Sequence, residues 1–130
     1  MTRPSGIVIT DIVYALCALF IALAEGIINP FIPWNLVPVV IGFFLTRRAV
    51  GGTHPGKNAV WPAAGYNAAG VGTVVFFHMA WLFDWEGTAT GSSTSALIFI
   101  FLPVCALIAG AAGYLVGLFC RKIYTVAVKK

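Results

Sequence analysis

Basic side chains are excluded from four long apolar stretches, and the gaps between them are sorted by sign. Arg3 precedes the first stretch, Arg47, Arg48 and Lys57 follow the second, and Arg121, Lys122, Lys129 and Lys130 follow the fourth. Those are all eight basic side chains; of the four acids, Glu25, Asp84 and Glu86 fall in the alternate gaps. Segments rich in lysine and arginine are retained on the cytoplasmic side of a bilayer. The pattern predicts an all-α polytopic membrane protein: a compact four-transmembrane-helix bundle with N and C termini cytoplasmic. The bacterial cytoplasmic (inner) membrane is the expected location.

Composition agrees with that placement. Of 130 residues, 60% are hydrophobic and 9% charged, with a mean hydropathy of +0.95. One span takes roughly 20 apolar residues, so four consume most of the chain. A single integral membrane domain over 1–130 is therefore expected, without a separate soluble domain. The net charge of +4 is spread over juxtamembrane positions. This suits contact with anionic membrane lipids, not nucleic acid. Arg3, the apolar run Ile12–Leu23 and the small triplet Ala22-Leu23-Ala24 have the outline of a cleavable signal peptide, but Asp11 interrupts its required apolar core. Retention as the first span is the better reading.

The expected spans are about 7–27, 31–46, 62–83 and 96–119. The second is short and contains Pro38, which cannot donate to the carbonyl of Trp34 and predicts a kink or frayed start. Its length implies local bilayer thinning, snorkelling by Arg47 and Arg48, or a slanted start partly shielded by neighbours. Pro62 suits the first turn of the third span, and Ser92–Ser95 can cap the fourth. Pro103 predicts a kink in the outer half of the fourth. Trp34, Trp61, Trp81 and Trp85 fall where interfacial aromatic belts form. Between Arg48 and Lys57 lies a basic, glycine-rich loop without the Gly-Lys-Ser/Thr end of a phosphate-binding loop.

Small residues recur at helical spacing in the last two spans. Ala109, Gly113 and Gly117 stand four apart beside Ala106 and Gly110, and the third span carries Gly65, Ala69 and Gly72. Such faces let backbones approach closely in lipid. They predict a tight contact between spans three and four, or a seam in a homo-oligomer or larger membrane complex.

The remaining polar chemistry collects at the outer side. His78 lies five residues before the expected end of span three, within reach of Glu25 from span one. An imidazole beside a carboxylate can carry a proton near neutrality. With Asn29, Asp84 and Glu86, the two define an expected acidic outer vestibule. Asp11 is costly inside a span unless paired or hydrated, and snorkelling, or pairing with Arg47, Arg48 or a basic partner, is expected. Together Asp11, Glu25 and His78 mark a candidate ion or proton path. Asn67 is placed to hydrogen-bond to another helix.

No catalytic residue is expected, since no activated triad spacing emerges. Cys17, Cys105 and Cys120 lack Cys-x-x-Cys spacing, and His54 and His78 belong to opposite sides. No metal and no cofactor is therefore expected, apart from bound lipid. Two functions follow. The first is a small membrane scaffold or accessory subunit packing through its glycine and alanine faces. The second is a homo-oligomeric channel or transporter for protons, cations or a small solute.

Overall fold

The structure, a computed structural model, describes residues 5–26, 28–51, 57–91 and 95–128. These residues are helices and turns, with no strand among them. Several expectations fall outside the described residues: Arg3, the end of the first span at Ile27, the loop 52–56 with His54, the capping positions 92–94, and Lys129 and Lys130. Two helical stretches, Ser5–Glu25 and Ile98–Ala127, are long and apolar enough to cross a membrane.

Helix α1 (Ser5–Glu25) contains no proline and only Gly6 as a helix breaker, so nothing interrupts it before its end. Gly26 at φ 83° then supplies the left-handed position that follows a helix C-terminus. The Asn29 N–H donates to the Gly26 carbonyl at 3.1 Å. The Asn29 Oδ1 accepts from the Phe31 N–H at 2.9 Å, closing the turn into α2.

Helix α2 (Ile32–Gly51) is longer than the span expected from hydropathy. Hydropathy stops at Thr46, but backbone hydrogen bonding runs on through Arg47 and Arg48. Arginine is a good helix former, and a helix C-terminus favours positive charge. Arg47 lies over the Phe43 ring, 5.5 Å from its centroid. Pro38 sits inside α2 without ending it, and its carbonyl accepts the Tyr66 hydroxyl at 3.2 Å.

Helix α3 (Lys57–Tyr66), a π-helical turn (Asn67–Val71) and helix α4 (Gly72–Leu82) form one rod with right-handed helical dihedrals at both junctions. The rod is about 39 Å long at 1.5 Å per residue. It begins five residues before the expected start, so Pro62 occupies the second turn instead of the first. Helix α5 (Ile98–Val128) follows a short 3-10 turn, Ser95–Leu97, and continues nine residues beyond Phe119, the expected end of the fourth span. Pro103 lies within it.

Helices α1 and α2 pack together, α3 packs on α5, and α4 lies against α1 and α5. Ile21, Val39, Val74 and Ala106 form the buried core, one residue from each rod and none more than 3% exposed. The α3–α5 contact is built from missing side chains. A Cβ on Gly65 would overlap the Gly113 carbonyl oxygen, and one on Gly113 would overlap that of Gly65. A Cβ on Gly117 would overlap the Trp61 carbonyl oxygen. These approaches have the geometry of Cα–H···O contacts between helices.

The seam departs from the expected register at the π turn. A Cβ on Gly72 would meet only the Asn67 carbonyl of its own turn, at 3.7 Å. Gly70 takes the seam position, with its Cβ site 3.0 Å from both Ala106 O and Gly110 Cα. A π turn holds more residues per turn than an α turn, which carries Gly72 off the contact face. Ala69 stays on it, since a Cβ on Gly113 would lie 2.8 Å from the Ala69 methyl. Gly110 lies under the Tyr66 ring, 2.6 Å from its Cε2 if a Cβ were added. Ala106 is buried, and Ala109 is half-buried.

Candidate functional site: a buried imidazole–carboxylate pair

Polar side chains cross the helix contacts at three levels, from the basic end of the bundle to the acidic one. At the basic end Asp11 faces Arg47 at 3.9 Å, with both side chains partly exposed. One turn further, the Tyr14 hydroxyl lies 2.9 Å from Thr46 Oγ1 and donates to Asn67 Oδ1. Asn67 Nδ2 donates to Thr46 Oγ1 and to the Ala63 carbonyl, each at 2.8 Å. This network ties α1, α2 and the π turn together, as a buried polar network does once its members are satisfied.

Gly42 makes room for it. A Cβ there would overlap Asn67 Oδ1, lie 2.8 Å from Val71 Cγ2 and 3.3 Å from the Tyr14 hydroxyl. Gly42→Ala is expected to cost about 1–3 kcal/mol, the range for overpacking a filled interior. A lowered thermal midpoint in detergent, with an unchanged helical spectrum, checks this. A midpoint equal to the parent's would mean that the network yields freely.

The third level holds the strongest chemistry. The His78 and Glu25 side chains are both 0% exposed, and His78 Nε2 lies 2.7 Å from Glu25 Oε1. His78 Nδ1 lies 2.7 Å from the Val74 carbonyl oxygen. A carbonyl only accepts, so Nδ1 carries a hydrogen and donates to it. With Nε2–H and a bare Nδ1, two lone pairs would oppose each other at that distance. The bond from Nε2 to Oε1 therefore contains one proton, held by a carboxyl or by an imidazolium. In both forms the pair is neutral overall, and the proton needs to move only along one hydrogen bond to interchange them. The Phe99 ring covers the imidazole at 5.2 Å between centroids, and Trp81 backs Phe99 at 4.8 Å.

The two residues meet because their helices run in register. Tyr14 to Asn67 and Glu25 to His78 have the same sequence separation of 53. The intervening contact, Ile21 against Val74, belongs to the core at the same offset. Glu25, Asn35, His78 and Leu102 each stand four residues from a member of the core layer, all toward the acidic end. Helical rise places them together in the next layer. Sequence reasoning passed over Asn35, whose side chain is 0% exposed. Its signal was an amide in an otherwise apolar run, one turn into a span.

The other expected vestibule residues are placed differently. Asn29 and Asp84 spend their side chains on local turns. Asp84 Oδ2 accepts from the Thr90 hydroxyl at 2.6 Å, and its Oδ1 accepts from the Ala89 and Thr90 N–H groups at 2.8 and 3.1 Å. Glu86 is exposed in a 3-10 turn, with φ 53°. The expected vestibule residues are thus not gathered round the pair in one hydrogen-bonded set: the Phe99 ring lies over the imidazole, and Asp84 caps its own loop. The apolar core layer of Ile21, Val39, Val74 and Ala106 lies between the level of Tyr14 and Asn67 and that of Glu25 and His78.

The Thr90 hydroxyl, followed by the Ala89 N–H, holds the Asp84 carboxyl below its ordinary range. A depressed carboxyl stabilises the loop above the unfolded value, and the contribution is lost as pH falls through the folded value. The turn 84–90 is therefore expected to stay closed at neutral pH and open in acid. Amide exchange at Ala89 and Thr90, measured against pH, checks the direction. Asp84→Ala should give fast exchange at every pH.

Compared with protein-family models, with curated proteins and with solved structures, the chain matches none.

Proposed function

We propose that this chain is a four-span membrane protein that moves protons, or a solute coupled to them, with Glu25 and His78 as its proton-holding site. The observation that carries the reading is the complete burial of that pair within the bundle. An ionisable group at membrane depth is expensive and is by default functional. The glycine seam, the main argument for docking on other proteins, is occupied within the chain by α3 and α5. That removes the best surface for a pure scaffold.

Packing supports the reading of four crossings. If α1 and α5 span a bilayer, α2 and the 57–82 rod share their depth. Helix α2 runs antiparallel to α1 through the levels of Asp11 with Arg47 and Tyr14 with Thr46. The rod runs antiparallel to α5 through Trp61 with Gly117, Gly65 with Gly113 and Gly70 with Ala106. Large apolar side chains on the outward faces, among them Leu16, Leu19, Leu23, Ile108, Leu115 and Phe119, are more than half exposed and suit a lipid surround. Basic residues then lie on the cytoplasmic side of a bacterial inner membrane. A groove of about 390 Å³ beside Tyr14, Leu36, Val40 and Phe43 ends at Arg47 and Asp11. It fits a lipid chain whose phosphate meets Arg47.

The closed apolar layer below the site favours a second reading, an accessory subunit without a through path. Purified protein in liposomes with a pH-sensitive dye separates the two. Transport predicts proton flux above empty vesicles and its loss in Glu25→Gln. Flux equal to that of empty vesicles, with a second protein copurifying stoichiometrically, would assign the accessory role.

A further inference from the structure

We propose that Asn35 is the third member of this site, where its carboxamide and Glu25 Oε2 together bind one water molecule that feeds protons to the pair. The inference rests on the proton-handling reading, and it deepens that reading by naming the group that meets the carboxyl. Both polar atoms of the Asn35 amide are buried without a hydrogen-bond partner among the described residues, and so is Glu25 Oε2. A buried amide without partners is costly, and each such group calls for an explanation. Asn35 stands one turn from Val39, as Glu25 stands one turn from Ile21. Counted in helical turns from the core residues, Asn35 and Glu25 share a layer, and His78 belongs to it.

The chemistry selects the guest. Glu25 Oε2 and Asn35 Oδ1 are acceptors, and Asn35 Nδ2 offers donors. A molecule with two O–H donors and acceptor lone pairs satisfies all three, as a buried water with two to four polar partners does. A metal ion would use only the two oxygens and would face the amide N–H groups. A proton arriving as hydronium passes to Oε2 and leaves neutral water. The proton on Oε1 passes to His78 Nε2 in the same movement. The carboxyl stays neutral, and the imidazole gains the single positive charge. Asn35 acts as a positioning residue, orienting the water without exchanging protons itself.

Infrared difference spectroscopy on the full chain in lipid, driven by a pH step, tests this directly. The wild-type protein should show a carboxyl C=O band that Glu25→Gln removes, and an O–H band that shifts in H2(18)O. Asn35→Leu should abolish the O–H band and shift the Glu25 band. It should also lower proton flux by about tenfold or more, the value of one hydrogen bond to a charged group. Should Asn35→Leu not fold, Asn35→Val is used, a smaller apolar side chain that likewise offers the water neither donor nor acceptor; the same band changes are expected. A Glu25 band unshifted by either substitution overturns the proposal, as does an O–H band insensitive to H2(18)O. Flux absent in wild type while the bands behave as described would overturn transport and leave the water site standing.

Discussion

Gly113→Leu is expected to yield no monodisperse protein in detergent, and Gly113→Ala a protein with a sharply lowered thermal midpoint. The obstacle to the first methyl group is backbone. A Cβ on Gly113 would overlap the Gly65 carbonyl oxygen and lie 2.8 Å from the Ala69 methyl. A side chain in the way can change rotamer, but a helical carbonyl cannot. Relief requires α3 and α5 to separate along the seam that also holds Gly117 against Trp61 and Gly110 against Tyr66. The cost should exceed the about 1–3 kcal/mol of ordinary overpacking, a large part of a total stability of about 5–15 kcal/mol. Gly72→Ala is the matched control. Its Cβ would meet nothing closer than 3.7 Å, and alanine gains about 1 kcal/mol over glycine in a helix interior. Size-exclusion profiles and thermal unfolding measure both. If Gly113→Ala changed the oligomeric state and left monomer stability intact, the seam would lie between copies.

That contrast marks where reading from the sequence stopped. The helical class and the pairing of α3 with α5 were legible, because apolar length and four-residue spacing of small side chains report directly on both. The π turn was not. Asn67-Ala68-Ala69-Gly70-Val71 has no local marker for it, and its effect is to replace Gly72 by Gly70 on the contact face. Helix ends differ from the expected span ends for a different reason. Hydropathy ends a span at its first charge, whereas α2 runs on to Gly51 and α5 to Val128. Arginine and lysine are good helix formers, so the backbone has no reason to stop where lipid contact does.

The candidate site was half legible. Glu25 and His78 stood out because ionisable groups are scarce in such a chain, and their depths could be compared by counting turns. Asn35 escaped because an uncharged amide near a span end reads as an ordinary interfacial residue. Its burial depends on the depth at which α2 packs against α1 and α4, a tertiary fact. The hydrogen bonds of the outer acids were not legible either. Their charge suggested a vestibule, but Asp84 is occupied by the Ala89 and Thr90 groups of its own loop. Charge in a sequence says where a group resides; only the fold shows what it spends its hydrogen bonds on.

Glu25→Gln and Glu25→Leu are expected to part company, the first losing proton movement with its fold intact, the second losing stability as well. With Nδ1–H fixed on the Val74 carbonyl, His78 Nε2 presents a lone pair to position 25. A glutamine amide can donate to it, so the bond survives and the midpoint should stay within the equivalent of about 1 kcal/mol. The shared proton does not survive, because an amide holds its hydrogens at every relevant pH. Leucine leaves the ring nitrogen bare in an apolar interior, at a cost of about 1–3 kcal/mol. His78→Leu instead leaves the buried carboxyl without its imidazole partner, which is also costly. The double Leu variant strands neither group, so its loss should be smaller than the sum of the two single losses. Unfolding midpoints of the four proteins close that cycle. Additive losses would mean that the two groups do not share a proton, and a proton flux surviving in Glu25→Gln would remove the pair from the path altogether.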